Sequence, residues 1–259
     1  MKIVRDLLGS RELLYFLAWR DVKIRYKQTI LGAAWAVLQP FIAMLVFTVV
    51  FTRVGVTSSI DAPPQLLYYT ALVPWTYFAG TLTNAGMSLV TNTDLLTKVY
   101  FPRVLLPAAT ALAGLVDLTI ASVLMLGLFA FYGVTPDAEL LALPVCLAVL
   151  VALALGAGML IAAINVVYRD VKYALPFAVQ LLLFLSAVIV PLGDADGVLR
   201  TLMLVNPLTG IIEGCRAAAL PGVAIDWLQL GVSAAVTAVL FALGARYFAR
   251  VERAFADLV

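Results

Sequence analysis

The sequence predicts an all-α integral membrane protein with six transmembrane helices, and three observations support this prediction. The chain has 259 residues, of which 64% are hydrophobic and 12% are charged, and its mean hydropathy is +1.05. Soluble domains average about 45–50% apolar and about 25% charged residues, so such a composition needs lipid around it. Six stretches also reach the roughly 17–25 residues that a membrane helix requires. They are 31–51, 65–90, 104–132, 140–167, 174–191 and 227–247, and together they form one membrane domain over residues 1–259.

An amphipathic helix is predicted over residues 10–29, ahead of the first span. At 100° per residue, an aromatic stripe with Tyr15, Trp19 and Tyr26 runs beside a basic stripe. The basic stripe contains Arg20, Lys23 and Lys27. Aromatic residues beside cations suit the headgroup layer of an anionic leaflet. The periodicity alone favours a simple interfacial anchor, and a helix that contacts a lipid-borne anionic headgroup is the sharper alternative.

The distribution of Lys and Arg predicts the orientation of the chain. Six spans place both termini on one side of the membrane, and a cytoplasmic location puts 14 of the 17 Lys and Arg residues inside. Arg53, Arg200 and Arg216 then remain outside. Because cytoplasmic loops carry an excess of Lys and Arg, both termini are expected in the cytoplasm.

The second predicted span carries a polar stripe. Six residues at helical spacing share one face: Thr70, Tyr77, Thr81, Asn84, Ser88 and Thr91. A polar face avoids lipid, so it packs on another helix or lines an aqueous path. Helix packing is the commoner use of any single Ser or Thr, but six residues in register favour a polar conduit.

Asp117 lies close to the middle of the third predicted span. An ionised carboxylate there costs about 2.5–3.5 kcal/mol on insertion scales, so it must face protein or water, or be protonated. A proton relay is one alternative. A structural hydrogen bond to a neighbouring helix, with Thr81 or Asn84 as the partner, is the favoured interpretation.

The segment between the fifth and sixth spans, 192–226, is long and only partly polar. After the turn-like GDADG at 193–197, an apolar run leads to Asn206-Pro207, which predicts a helix N-cap followed by proline at the first helical position. The following helix, to about Leu220, is too short to cross a bilayer. A re-entrant hairpin and a surface loop with an amphipathic helix remain equally supported.

Several kinds of chemistry are disfavoured by the sequence. There is no histidine, and none of the five lysines follows a glycine, so the Gly-Lys phosphate loop of ATPases is absent. Cys146 and Cys215 have no metal-ligand spacing, and nothing demands a disulfide between them. We therefore expect no catalytic site, no metal site and no cofactor in this chain, and the basic residues do not form a nucleic-acid surface.

Four stretches of the chain resemble the transmembrane permease subunits of ABC exporters that move O-antigens, capsules and teichoic acids. They are RDVKIRYKQTILGAAWAVLQP (Arg20–Pro40), LLTKVYFPRVLLPAA (Leu95–Ala109), NVVYRDVKYALPFAVQ (Asn165–Gln180) and NPLTGIIEG (Asn206–Gly214). Each stretch is weakly informative alone, but the four occur in the expected order between the spans. The resemblance covers nearly the whole chain.

The resemblance implies a homodimer bound to two copies of a separate ATPase, which would bind the ATP and magnesium. The N-terminal helix would flank the access route of a lipid-linked glycan, and residues 92–103 would form a coupling helix. The coupling contacts would come from Asp94, Leu95, Leu96, Lys98, Val99, Tyr100 and Arg103. The segment 192–226 would form an external gate hairpin that includes Asn206, Pro207 and Glu213.

The family's channel is lined by aromatic and polar side chains. The resemblance places such residues on the first and fifth spans here, and the polar stripe adds those of the second span. The expected lining residues are Trp35, Gln39, Tyr77, Thr81, Asn84, Ser88, Phe177, Gln180 and Phe184. The chain departs from the family pattern at SAVIVP (Ser186–Pro191) and at Cys215, both near the proposed gate. The expected location is the bacterial cytoplasmic (inner) membrane.

Two other functions remain as alternatives. The same fold would serve an ABC exporter of drugs or lipids. An ion-coupled secondary transporter that uses Asp117 is the other alternative and is less well supported.

Overall fold

The computed structural model describes residues 2–27, 32–54, 59–135 and 137–252, and all regular secondary structure in this part is helical, without strands. The helices are α1 (Lys2–Gly9), α2 (Arg11–Tyr26), α3 (Ala34–Val54), α4 (Pro64–Thr91), α5 (Thr93–Lys98), α6 (Leu105–Tyr132), α7 (Leu143–Val167), α8 (Val171–Leu185), α9 (Gly197–Val205), α10 (Pro207–Ala219) and α11 (Trp227–Val251). Short 3₁₀ turns at Ala138–Ala142 and Leu192–Asp194 join them.

Four of the helical segments in the described ranges are long and apolar enough to cross a membrane: Ala34–Arg53, Leu105–Tyr132, Ala138–Val167 and Trp227–Val251. The pair α9 and α10 would count as a fifth if its 90° bend lies within one broken span. The predicted spans 104–132, 140–167 and 227–247 correspond to three of these segments. The predicted span 31–51 corresponds to α3, although Leu31 lies outside the described residues.

Helix α4 occupies the centre of the molecule and coincides with the predicted span 65–90. It is long and uncharged, but its polar residues give it a less apolar composition than the other long helices. Several side-chain and backbone groups of α4 have partners on neighbouring helices. The Tyr69 hydroxyl donates to the Ala121 carbonyl (3.0 Å), the Tyr77 hydroxyl to the Ala111 carbonyl (3.2 Å), and the Asn165 amide to the Gly86 carbonyl (3.0 Å). Helix α4 is therefore stabilised by neighbouring helices α6 and α7.

Helices α7 and α11 cross at two glycines. A Cβ atom on Gly244 would lie 2.2 Å from the carbonyl oxygen of Gly156, so the two backbones touch there. Gly158 also lies close to α4, since a Cβ atom there would lie 2.8 Å from the Cβ atom of Ala85. Small residues let membrane helices approach and pack by van der Waals contact. The small side chains of α7 therefore serve contacts within one chain.

The predicted N-terminal helix 10–29 is observed as α2, with a separate helix, α1, before it; Gln28 and Thr29 lie outside the described residues. Helix α2 packs along α6, with Leu17 and Val22 buried. Leu17 belongs to a hydrophobic cluster with Leu105 of α6 and Phe248 of α11. The helix is therefore docked on the bundle through one face, which interfacial periodicity alone does not predict.

The predicted fifth span, 174–191, is wrong at its C-terminal end. Helix α8 ends at Leu185, and residues 186–189 are buried without helical structure. The Asn206 amide binds the Leu185 carbonyl (2.9 Å), and the Arg216 guanidinium binds the Ala187 carbonyl (2.5 Å). These side chains satisfy carbonyls that another helical turn would otherwise have satisfied, so the chain leaves the helix there.

The predicted coupling helix, 92–103, is also too long. Only α5 (Thr93–Lys98) is helical, and Val99 already has extended backbone angles. Pro102 disfavours the helical conformation at Phe101, whose side chain is buried beside the start of α6. The second half of the segment is therefore a connection that does not continue the helix.

Candidate functional site

A cavity of about 550 Å³ lies between the C-terminal end of α2 and helices α3, α4 and α6. Its lining is mixed in character. Aromatic rings come from Tyr26, Trp35 and Tyr77, and neutral polar groups come from Gln39, Thr76, Thr81, Thr83 and Asn84. Among the described lining residues, Arg25 and Asp117 are the only charged ones. Pockets that combine aromatic walls with a few polar groups are typical of ligand sites.

The sequence favoured Thr81 or Asn84 as the hydrogen-bond partner of Asp117, but Asp117 binds neither of them. Both of its carboxylate oxygens instead contact the end of α2: Oδ2 pairs with the Arg25 guanidinium, and Oδ1 accepts a hydrogen bond from the Tyr26 hydroxyl. Burial raises the pKa of Tyr26 above its ordinary value of 10, so this phenol stays protonated and donates a hydrogen bond to the carboxylate. The carboxylate is thus compensated by two groups that lie 91 and 92 positions earlier in the chain.

The structure brings six of the predicted substrate-contacting residues into the cavity: Tyr26, Trp35, Gln39, Tyr77, Thr81 and Asn84. It leaves the others outside. Ser88 is buried and bonds the Ala85 carbonyl of its own helix (2.7 Å). Phe177, Gln180 and Phe184 lie on the exposed face of α8, and only Val179 of that helix reaches the cavity. The polar stripe of α4 is therefore split between a cavity wall and internal packing, since Thr70 also bonds its own helix.

The remaining residues of the amphipathic stripe lie on the outer face of α2. Tyr15 and Trp19 are exposed, and the Lys23 ammonium lies 5.8 Å from the centre of the Trp19 ring, within cation–π range. Arg20 pairs with Asp21 (2.9 Å), and Lys27 is exposed. Helix α2 thus presents aromatic and cationic groups outward while its last turn closes the cavity.

The segment 92–103 presents a mixed surface. Asp94, Lys98, Val99 and Tyr100 are exposed, whereas Leu95 and Leu96 are partly buried against the cluster formed by α2, α6 and α11. Arg103 binds Glu252 at the end of α11. Its backbone N–H donates to the Glu252 side chain, and its guanidinium donates to the Glu252 carbonyl, both at 3.2 Å.

The segment 192–226 contains an ion pair that the sequence did not reveal. Arg216 is completely buried, and its guanidinium lies 2.6 Å from Glu213 one turn earlier on α10. Glu213 also accepts the Leu192 N–H (3.0 Å). The predicted N-cap is confirmed, since the Asn206 side chain accepts the Leu208 N–H and Pro207 begins α10. The i, i+3 spacing of Glu213 and Arg216 was the available signal for their pairing.

Cys146 on α7 and Cys215 on α10 are both free and buried, and their thiols lie close to each other. Gly214 makes the approach possible, because a Cβ there would lie 3.0 Å from the Cys146 sulfur. Their separation of 69 positions gave no sign of this contact. Over the described ranges, no group of three or more Cys, Asp or Glu side chains could hold a metal ion.

These features define a multi-pass membrane protein with a polar, aromatic cavity among its helices. A family model described as ABC-2 type transporter matches residues 12–220. The chain belongs to this transporter family, as the four quoted stretches predict.

The chain is also similar to curated proteins along its whole length. It is 30% identical to the O-antigen export system permease protein RfbA of Myxococcus xanthus, with 100% of both chains covered. It is 23% identical to the protein of the same name from Klebsiella pneumoniae, over 96% of this chain and 95% of the relative. It is 22% identical to the polysialic acid transport protein KpsM of Escherichia coli, over 91% and 92% of the two chains.

Proposed function

We propose that this chain is the membrane-spanning subunit of an ABC exporter that moves a lipid-linked polysaccharide across the bacterial cytoplasmic membrane. The observation that carries the proposal is the cavity, considered with the full-length similarity to two kinds of polysaccharide exporter. A sugar presents CH faces that stack on aromatic rings and hydroxyls that need hydrogen-bond partners. Trp35 and Tyr77 supply rings, and Gln39 and Asn84 supply amides.

The access route lies at α2. Its exposed aromatic and basic residues, Tyr15, Trp19, Lys23 and Lys27, suit the headgroup region of a membrane, and its last turn borders the cavity. A lipid-linked substrate would reach the cavity with its headgroup at α2 and its lipid chain in the bilayer. This arrangement supports the sharper of the two interpretations of the amphipathic helix.

A separate ATPase subunit supplies the energy in this proposal, because the chain has no phosphate-binding loop. ATP and magnesium would bind to that partner, and this chain would need no cofactor. The surface of 92–103 provides a docking site in which Val99 and Tyr100 are exposed beside Lys98. Because Arg103 binds the end of α11, a movement of the segment 92–103 would be transmitted directly to α11.

The transporter would be a homodimer with six spans per chain and both termini in the cytoplasm. Helix α3 is the least buried of the long apolar helices, and α8 exposes Phe177 (64%) and Phe184 (57%). A second copy that covers these helices would bring the α8 rings and Gln180 to a shared conduit. The hairpin of α9 and α10 would then act as the external gate.

A deletion strain tests the proposal. Removal of this subunit should abolish the surface glycan and cause its lipid-linked precursor to accumulate inside the cell, and a wild-type copy should restore export. Drug sensitivity should stay unchanged. A strain that keeps its surface glycan but becomes sensitive to drugs would instead support the drug-exporter alternative.

A further inference from the structure

The Arg25–Asp117 pair is the one charged contact among the described residues of the cavity, and it is accessible from the cavity. The Arg25 side chain is 32% exposed and the Asp117 side chain 26%. The remaining described lining residues are neutral. An anion that enters this cavity therefore meets a single cation, and that cation already has a carboxylate partner.

We propose that Asp117 is a displaceable counter-anion, and that Arg25 binds the phosphate or diphosphate headgroup of the transported lipid in its place. This inference rests on the proposed function and names the part of the substrate that the cavity takes. A guanidinium has five N–H donors in a planar fork that matches phosphate as well as carboxylate. The two anions thus compete for the same group.

Tyr26 makes the exchange possible. Its hydroxyl donates to the second oxygen of Asp117, so the carboxylate keeps one hydrogen bond when Arg25 turns to another anion. Asp117 then faces a phosphate of like charge inside the cavity, and that repulsion favours release of the headgroup. Asp117 is consequently a residue that limits affinity and so promotes turnover.

The experiment uses the purified full-length protein in lipid nanodiscs, with farnesyl diphosphate as the probe. Asp117→Asn removes the competing charge and is expected to lower the Kd for the probe about tenfold, equivalent to about 1.4 kcal/mol. Arg25→Gln should raise the Kd by at least tenfold. Arg11→Gln, an exposed residue on the same helix, is the matched control and should leave the Kd unchanged.

Tyr26→Phe provides a second measurement if the Asp117 variant does not accumulate. Without the phenol, Arg25 is the one remaining partner of the Asp117 carboxylate among the described residues and is released less readily. The Kd for farnesyl diphosphate should therefore rise about threefold. An unchanged or raised Kd in Asp117→Asn, or an unchanged Kd in Arg25→Gln, would overturn the proposal, as would a lowered Kd in Tyr26→Phe.

Competition experiments identify the source of the headgroup. Inorganic diphosphate should compete with the probe at least tenfold less well than unlabelled farnesyl diphosphate, and phosphatidylglycerol in the nanodisc should not displace it. Equal competition by inorganic diphosphate would assign the site to a free anion and overturn the lipid assignment. The deletion strain tests the transported glycan, and the Kd measurements test the headgroup site. A failure of one proposal can therefore be distinguished from a failure of the other.

Discussion

Glu213 and Arg216 form an ion pair of 2.6 Å on α10, and the Arg216 side chain is completely buried. The pair also binds across to the segment after α8, because Glu213 accepts the Leu192 N–H and Arg216 donates to the Ala187 carbonyl. Two side chains one turn apart thus connect α10 to the end of α8. The hairpin of α9 and α10 is therefore expected to move together with α8.

Glu213→Gln removes the charge that compensates Arg216 while keeping an amide oxygen for the Leu192 N–H. Breaking a buried ion pair by removing one partner costs about 3–5 kcal/mol. The Tm of the purified protein should fall strongly, and adding Arg216→Met should recover part of the loss because no buried charge remains. Arg200→Gln, an exposed residue on α9, is the control. Equal Tm values for Glu213→Gln and this control would show that the pair is not structural.

Oxidation should join Cys146 to Cys215. Diamide is small and membrane-permeant, and its azo bond accepts the two protons and two electrons released when the two thiols form a disulfide. The treated protein should lose both sites for a maleimide reagent after denaturation, and a reductant should restore them. Cys146→Ser and Cys215→Ser should each keep one reactive thiol. Two thiols that stay reactive after diamide treatment would contradict the observed contact between α7 and α10.

The crossing of α7 and α11 should tolerate no side chain at Gly244. Its Cβ would lie 2.2 Å from the Gly156 carbonyl oxygen, and both groups belong to helix backbones, so Gly244→Ala forces the helices apart. Overpacking of this kind costs about 1–3 kcal/mol. Tm and membrane abundance should fall, whereas Gly231→Ala on the same helix, which meets no atom within 4 Å, should leave both unchanged or raised. Similar losses in the two variants would argue against the crossing.

Charge reversal at Lys98 tests the docking of the ATPase. Lys98→Glu should weaken ATPase binding and reduce export, without reducing membrane insertion, because Lys98 is exposed at the end of α5. Co-purification of the ATPase and the amount of surface glycan are the measurements. Lys172→Glu, an exposed change at the start of α8, controls for the altered net charge. Normal ATPase binding and normal export in Lys98→Glu would place the docking surface elsewhere.

The exposed aromatic residues of α2 should matter more for transport than for folding. Tyr15→Ala/Trp19→Ala is expected to slow export several-fold with little change in abundance, because both rings are exposed on the docked helix. Phe16→Ala removes an equally exposed ring from another face of the helix and is the matched control. A parallel fall in abundance and export would identify the two rings as an anchor alone.

The long helices could be predicted closely from the sequence because apolar length and turn residues act locally. The predictions 65–90 and 104–132 agree with α4 and α6 to within one residue at each end. The end of α8 could not be predicted in this way, because it depends on Asn206 and Arg216, which lie 20 or more positions away. Ser186–Pro191 departs from the family pattern at this very point.

The cavity was predicted in part for the same reason. The polar stripe of α4 identified Tyr77, Thr81 and Asn84 as neighbours, since helical periodicity fixes which residues share a face. The partners of Asp117 were assigned wrongly. Arg25 and Tyr26 belong to α2, whose docking against α6 depends on Leu17 packing into a cluster of residues that are distant in the chain. Contacts between elements leave no periodic signal in one sequence.

The shortness of α8 has a consequence for the surrounding lipid. Fifteen helical residues rise about 22 Å, and the hydrocarbon layer is about 30 Å thick, so α8 alone is too short to cross it. Backbone groups that continue the crossing cannot remain without hydrogen bonds in that layer. The Arg216 guanidinium meets this requirement for Ala187 and Val188, with contacts of 2.5 and 3.4 Å. The arginine thus supplies the hydrogen bonds that another turn of helix would have supplied. A non-helical segment can therefore lie within the hydrocarbon layer, where a backbone without hydrogen bonds would be excluded.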